Sequence, residues 1–142
     1  MRQIAMVEMI TVGDIMSTEI VSISADATVR DAAKLLIEKG ISSLAVMDSG
    51  ELVGIVTDRD FVKLATAEIV PENVRDIMSK NIVTIRPDEE VLEAVRLMGK
   101  SRIRHLLVKD DVDPVGIVSL RDVLKIEPDA IYGYISQRKL NQ

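Results

Sequence analysis

A chain of 142 residues, 47 % hydrophobic and 29 % charged, has the balance of a globular protein of about one domain. Its formal net charge of −5 excludes a general nucleic-acid binder, which needs a basic face to displace counterions; with 2 % aromatic residues it also lacks stacking platforms for single strands. It has no cysteine, hence no disulfide, thiolate nucleophile or thiolate metal site.

Residues 1–11 form an N-terminal extension. Glu8 interrupts its apolar stretch and no small-residue cleavage site follows, so no secretory signal is read and the cytoplasm is the expected compartment. No apolar run approaches the length of a membrane span. From Val12 the chain begins to repeat itself. Val12–Lys63 lies without a gap on Val74–Lys125, 62 positions later, with about 23 of 52 aligned residues identical. A repeat is sought first because missing one miscalls the fold. Two copies suggest a closed pair about a pseudo-two-fold axis. A unit of about 50 residues is marginal alone, so the copies are expected to share one core.

Within the first copy, residues 12–69, Ile20-Val21-Ser22-Ile23 reads as a short strand. Asp26 is the expected cap of a helix whose Val29, Ala32, Ala33 and Leu36 share a face and whose stop is Gly40. Leu44-Ala45-Val46, a Ser49-Gly50 turn and Leu52–Val56 make a hairpin, and Thr57 opens a second helix through about Ala67. Val70-Pro71-Glu72-Asn73 links to the second copy, residues 70–126. That copy follows suit: Ile82–Ile85, a helix capped by Asp88 with Val91, Ala94, Val95 and Met98 inward, Leu106-Leu107-Val108 paired with Val115–Val118, and a last helix from Ser119. Strands apolar on both faces are covered on both faces, so helices are expected on one side of each sheet and the other copy on the opposite side. The fold class is α/β (α+β), two β-α-β-β-α repeats packed about a pseudo-two-fold. In the tail, 127–142, Pro128-Asp129 starts a helix with Ile131, Tyr134 and Ile135 on one face. That helix either packs on the protein's own surface or presents Tyr132 and Tyr134 to a dimer interface.

No glycine-rich phosphate loop is present, and His105 is the single histidine, so no catalytic set is assembled and no enzyme is expected. The duplicated corner is Gly54-Ile-Val-Thr57-Asp-Arg-Asp60 and Gly116-Ile-Val-Ser119-Leu-Arg-Asp122. A hydroxyl followed three residues later by an acid at a strand-to-helix junction fits a capping box. The same geometry suits a ribose diol, with the carboxylate accepting from both hydroxyls and a phosphate near the helix N-terminus. Gly54 and Gly116 would then let a ligand approach the backbone.

With its duplicated Asp-Ile-Met-Ser lead-in, Ile-Val-Ser/Thr-Ile strand, Leu-x-Val-x-Asp hairpin and Gly-Ile-Val-Thr/Ser-x-x-Asp corner, Val12–Lys125 resembles a tandem pair of CBS (cystathionine β-synthase) domains, or Bateman module, here as a stand-alone protein. Family members often carry Pro in the middle strand, where this chain has Ala45 and Leu107. The resemblance implies adenosine-ligand clefts between the repeats. Thr57, Asp60, Ser119 and Asp122 would hold ribose and phosphate. Ile20, Val21, Ile82 and Val83 would flank adenine, with Ile55 and Ile117 as walls. The second copy also gathers Lys100, Arg102, Arg104, His105 and Lys109 where the first has Glu38, Gly40, Ser42, Ser43 and Met47. This is either a solvated basic face or a phosphate clamp, with Arg104 favoured over His105, and Arg59 and Arg121 beside the corners. The expected function is a non-catalytic sensor of AMP, with ADP or ATP as further candidates. It would carry no cofactor, form a homodimer, signal to a partner protein, and bind neither nucleic acid nor membrane. The rival readings are a scaffold with vestigial clefts and a sensor of S-adenosylmethionine or another adenosyl ligand.

Overall fold

The computed structural model describes residues 10–140, so residues 1–9 of the N-terminal extension lie outside the described residues. The chain forms α1 (Val12–Ile15), β1 (Ser22–Ser24), α2 (Val29–Lys39), β2 (Ser43–Asp48), β3 (Glu51–Thr57), α3 (Asp58–Leu64) and a 3-10 turn (Val74–Asp76). It continues with β4 (Thr84–Ile85), α4 (Val91–Ser101), β5 (His105–Asp110), β6 (Asp113–Ser119), α5 (Leu120–Ile126) and α6 (Ala130–Leu140). Its contacts divide it into two compact units. One spans Ile20–Ile82; the other joins the chain up to Glu19 with the chain from Val83 on.

In the Ile20–Ile82 unit, β1 runs parallel to β2 and β2 antiparallel to β3. Helix α2 makes the crossover that parallel strands require. Its cap is Thr28, whose hydroxyl accepts from the Asp31 N–H at 3.0 Å, and not Asp26 as the sequence suggested. Thr28 stands directly before Val29, the first helical residue, whereas Asp26 is two residues too early. Gly40 ends the helix in the left-handed conformation, φ 62° and ψ 37°. Ser49 and Gly50 both have positive φ, as a tight two-residue hairpin turn demands. The core is Leu44, Val46 and Val56 from the sheet, Ala32 and Leu36 from α2, and Val74 from the 3-10 turn.

The second unit repeats this plan with β4-β5-β6 and α4. Glu90, not Asp88, occupies the helix cap position, and makes no side-chain cap bond; Asp88 instead accepts from Arg86. Arg102 takes Gly40's place as the left-handed helix stop, φ 58° and ψ 41°. The core gathers Leu106, Val108, Val118, Val91, Ala94, Val95 and Met98 with Val12, Val123, Ala130 and Tyr134. The buried apolar residues thus form two clusters, one in each unit, where the small size of each copy had suggested one shared core.

Each unit borrows its lead-in from the other copy of the repeat. Val12 and Val74 are repeat counterparts, both 0 % exposed, and each packs into the core of the other copy's sheet. Burying a side chain of that size contributes roughly 1.5–3 kcal/mol. Backbone pairing follows the same rule: Thr28 bridges Asn73 in one unit, and Thr11 bridges Glu90 in the other.

The tail helix α6 packs within its own unit, with Ala130 and Tyr134 in the core. Gly99 of α4 permits this. A Cβ there would stand 2.6 Å from the Tyr134 carbonyl oxygen and 2.8 Å from Gln137 Cβ. The repeat counterpart of Gly99 is Ile37, which is 81 % exposed.

Candidate functional site

Each corner sits where the last strand of a sheet turns into a seven-residue helix. Thr57 ends β3 and Ser119 ends β6. Both are extended, so the side chain of the third helical residue can reach back to the cap. Thr57 N–H donates to Asp60 Oδ2 at 2.8 Å. Ser119 N–H donates to Asp122 Oδ2 at 3.0 Å, and Asp122 N–H donates to Ser119 Oγ at 3.1 Å. The capping box is therefore present at both corners. It does not exhaust the carboxylates, since each has about four lone-pair positions and the bonds described use one oxygen. All four residues are partly buried. Burial raises the Asp60 pKa above the usual aspartate value, opposed by the hydrogen bond from the Thr57 backbone and by the charge of Lys63.

Strand register decides what stands beside the corners. In an antiparallel pair, directly opposed residues share a face. Ser43 is opposite Thr57, and His105 is opposite Ser119. Register puts His105 opposite Ser119, and Arg104, which the sequence reading favoured, is the residue before it, beside Leu120. Arg104 precedes β5, is exposed, and accepts the Leu120 N–H on its carbonyl at 2.9 Å. Arg102 is the helix stop of α4 and is exposed. Arg59 and Arg121 are exposed in the first turns of α3 and α5. Lys109 lies at the far end of β5 from His105.

The apolar candidates fall around the same strands. Val21 directly precedes β1 and Val83 directly precedes β4. Their carbonyls accept the Ala45 and Leu107 N–H groups at 3.0 and 3.2 Å. Ile20, Ile55 and Ile82 are half-buried in one unit, and Ile117 is half-buried in the other. The main chains of Ile55 and Ile117 are occupied. Ile55 exchanges two hydrogen bonds with Ser79, 3.0 and 2.9 Å, and Ile117 exchanges two with Ser17, 2.9 and 2.8 Å.

These bridges change the meaning of the two conserved-in-repeat glycines. A Cβ on Gly54 would meet Met78 Sδ at 2.6 Å and the Ser79 oxygen at 2.9 Å; on Gly116 it would meet Met16 Sδ and the Ser17 oxygen, both at 2.7 Å. The space that the sequence reading reserved for a ligand is filled by the lead-in methionine. Sequence reasoning missed this role of Met16, Ser17, Met78 and Ser79. The available signal was the duplicated Asp-Ile-Met-Ser itself, read there only as a family mark.

A second pair of equivalent features pins the hairpins. Asp26 and Asp48 are the repeat counterparts of Asp88 and Asp110. Arg75 donates to Asp26 and Asp48, each at 2.9 Å, while Arg86 contacts Asp88 at 3.2 Å and Asp110 at 3.6 Å. The two arginines are not counterparts, so the same acidic pair is neutralised from different chain positions. Arg75 holds the Asp48 carboxyl below its usual range. These pairs are solvent-accessible and belong to the class contributing about 0–1 kcal/mol each. Among the described residues no group of three or more His, Asp or Glu could hold a metal ion, and no helix is long and apolar enough to cross a membrane.

The family profile of the CBS domain matches residues 12–66 and 74–129. The chain belongs to the CBS-domain family. Among its relatives, MJ1232 of Methanocaldococcus jannaschii is 34 % identical over 118 residues, covering 82 % of this chain and 39 % of that protein. The chain thus spans well under half the length of that relative. Among solved structures, the CBS-domain pair of MJ0100, in complex with methylthioadenosine and S-adenosylmethionine, superposes with a TM-score of 0.78 at 31 % identity, covering 85 % of this chain and 98 % of that one. CBSX2 in complex with AMP superposes with a TM-score of 0.72 at 28 % identity, covering 84 % and 97 %.

Proposed function

We propose that this CBS pair is a non-catalytic regulatory module that binds an adenine nucleotide, AMP in the first place and ADP or ATP in the second, and passes occupancy to a partner protein. The duplicated corner carries the reading. Thr57 with Asp60, and Ser119 with Asp122, each offer a hydroxyl and a carboxylate with an unused oxygen, the set that a ribose diol requires. Val21, Val83, Ile20, Ile82, Ile55 and Ile117 supply apolar surface for adenine. His105, opposite Ser119, is the first choice for phosphate contact, with Arg104, Arg102 and Arg121 as further candidates in its unit and Arg59 as the candidate at the Thr57 corner. No counterpart of His105 exists beside Thr57, where Ser43 stands, so the corner at Ser119 is the better phosphate site. A ligand shifts the module between states only by its differential affinity for them. We place the module in the cytoplasm as a homodimer, which sedimentation would show as twice the chain mass.

The ligated state of MJ0100 supports a second reading, a sensor of S-adenosylmethionine or a related adenosyl compound. Calorimetric titration with AMP, ATP and S-adenosylmethionine separates the two. Heat with AMP and ATP and none with S-adenosylmethionine is the expected result. Absence of both heat and thermal shift with all three at millimolar concentration defeats the ligand reading and favours a scaffold. Asp122→Asn retains an oxygen for the cap while removing the charge. It should weaken nucleotide binding at least tenfold, the loss of a hydrogen bond to a charged group, with little change in stability.

A further inference from the structure

Strand β5 has two ends, and the corner uses one. His105 opens it opposite Ser119; Lys109 stands four residues on, roughly 13 Å away along the strand. There, between edge strand β4 and helix α4, lies a groove of about 350 Å³. Its floor is Ile85 and Leu97, and its walls carry Arg86, Glu89, Glu93, Lys109 and Asp111. The volume falls in the lower part of the range for small-molecule sites, about 300–1,000 Å³.

The repeat supplies an internal control. The floor has the counterparts Ile23 and Leu35, so the frame is duplicated. The walls are not: Arg86, Glu89, Glu93, Lys109 and Asp111 correspond to Ser24, Ala27, Asp31, Met47 and Ser49. Four of five charges are therefore peculiar to the second copy, and the fold does not need them. Three wall charges, Arg86, Asp111 and Glu93, are already paired. Arg86 contacts Asp88, Asp110 and Asp111, and Glu93 contacts Arg96 at 3.3 Å. Lys109 and Glu89 pair neither with each other nor with another side chain among the described residues. A lone ammonium and a lone carboxylate thus border one small groove above an apolar floor.

We propose that this groove binds a small zwitterion, an α-amino acid, whose carboxylate is taken by Lys109 and whose ammonium is taken by Glu89. Opposite charges at the two ends orient the ligand, and the Ile85–Leu97 floor accepts its side chain. The groove is separate from the Ser119 corner and does not depend on it.

The test is an amide NMR titration of the full chain with L-alanine, L-glutamate and L-lysine at millimolar concentration. Shifts confined to residues 84–97 and 109–111 are expected with at least one of them. The double variant Glu89→Ala and Lys109→Met installs the first copy's own residues. It should weaken that binding at least tenfold while leaving the thermal midpoint and the heat of AMP binding as in the parent chain. Should the double variant fold poorly, Lys109→Gln alone carries the same expectation. The proposal is overturned if no amino acid shifts these amides, if the folded variants bind like the parent, or if acetate alone reproduces the shifts. A retained AMP response alongside a failed amino-acid titration would overturn the groove and leave the nucleotide reading standing.

Discussion

At the scale of single residues, the sharpest constraint is the contact between a glycine and a borrowed methionine. Gly54 and Gly116 sit where a Cβ would meet Met78 and Met16 at 2.6 and 2.7 Å. Gly116→Ala should therefore cost about 1–3 kcal/mol in urea unfolding, the range for overpacking. Trimming the methionine in the double variant Met16→Ala and Gly116→Ala should recover part of it, giving a coupling energy unlike that of distant sites. Arg102 is strained by comparison with its counterpart Gly40, since both adopt left-handed φ and only glycine does so freely. Arg102→Gly should stabilise by about 0.5–1 kcal/mol in the same assay. If Arg102 also touches phosphate, nucleotide affinity falls while stability rises, a combination that a merely structural arginine cannot produce. Asp60 gives a pH signature. Its folded pKa is raised by burial, so its contribution is fully present below the ordinary aspartate value of 3.8 and is lost as pH rises through the raised value. Asp60→Asn should remove that decline from the thermal midpoint measured across mildly acid pH. Asp48, held down by Arg75, acts with the opposite sign, adding stability above 3.8 that disappears on acidification and is absent in Arg75→Met.

At the scale of elements, the tail helix shows how a tertiary contact overrides a sequence alternative. Tyr132 and Tyr134 looked equivalent as anchors. Tyr134 is 8 % exposed in its own unit, and Tyr132 is 69 % exposed. Tyr134→Ala should cost about 2–4 kcal/mol, in the range for truncating a buried large side chain; Tyr132→Ala should be near neutral for the monomer. Sedimentation of Tyr132→Ala then tests whether the exposed ring supports the proposed dimer. Strands, hairpins and the two corner helices were legible because β-branched runs, turn residues and hydroxyl-to-acid spacing are local signals. The long-helix caps were misplaced by two residues because Asp26 and Asp88 are good capping types that Arg75 and Arg86 have drawn into ion pairs. That α6 packs on its own unit was one of the two readings of the sequence; its seat was not legible, because the permission for it lies in Gly99, a residue of α4 remote in sequence.

At the scale of the whole molecule, the repeat and the compact unit are different objects. The repeat starts at Val12 and Val74, whereas the unit boundaries fall at Glu19/Ile20 and Ile82/Val83. A fragment spanning residues 20–82 contains a complete sheet, its helices and the lead-in Val74–Ser79. A fragment spanning 12–69 lacks Val74 and Met78 and carries a lead-in that belongs elsewhere. Circular dichroism should show cooperative unfolding for the first and none for the second; equal behaviour would mean that the exchanged lead-ins contribute little. The amino-acid sequence by itself determined the duplication, the order of strands and helices, the paired Thr/Ser–Asp corners and the family, since each is written in residue types at short spacing. Only the tertiary structure decided which sheet each lead-in serves, that methionine packs into the glycine notch, that His105 pairs with Ser119, and that the charged groove lies at the other end of β5. The physical reason is that two copies of one frame offer the same apolar surface to either lead-in. Periodicity cannot choose between equal partners; connection length and three-dimensional packing can.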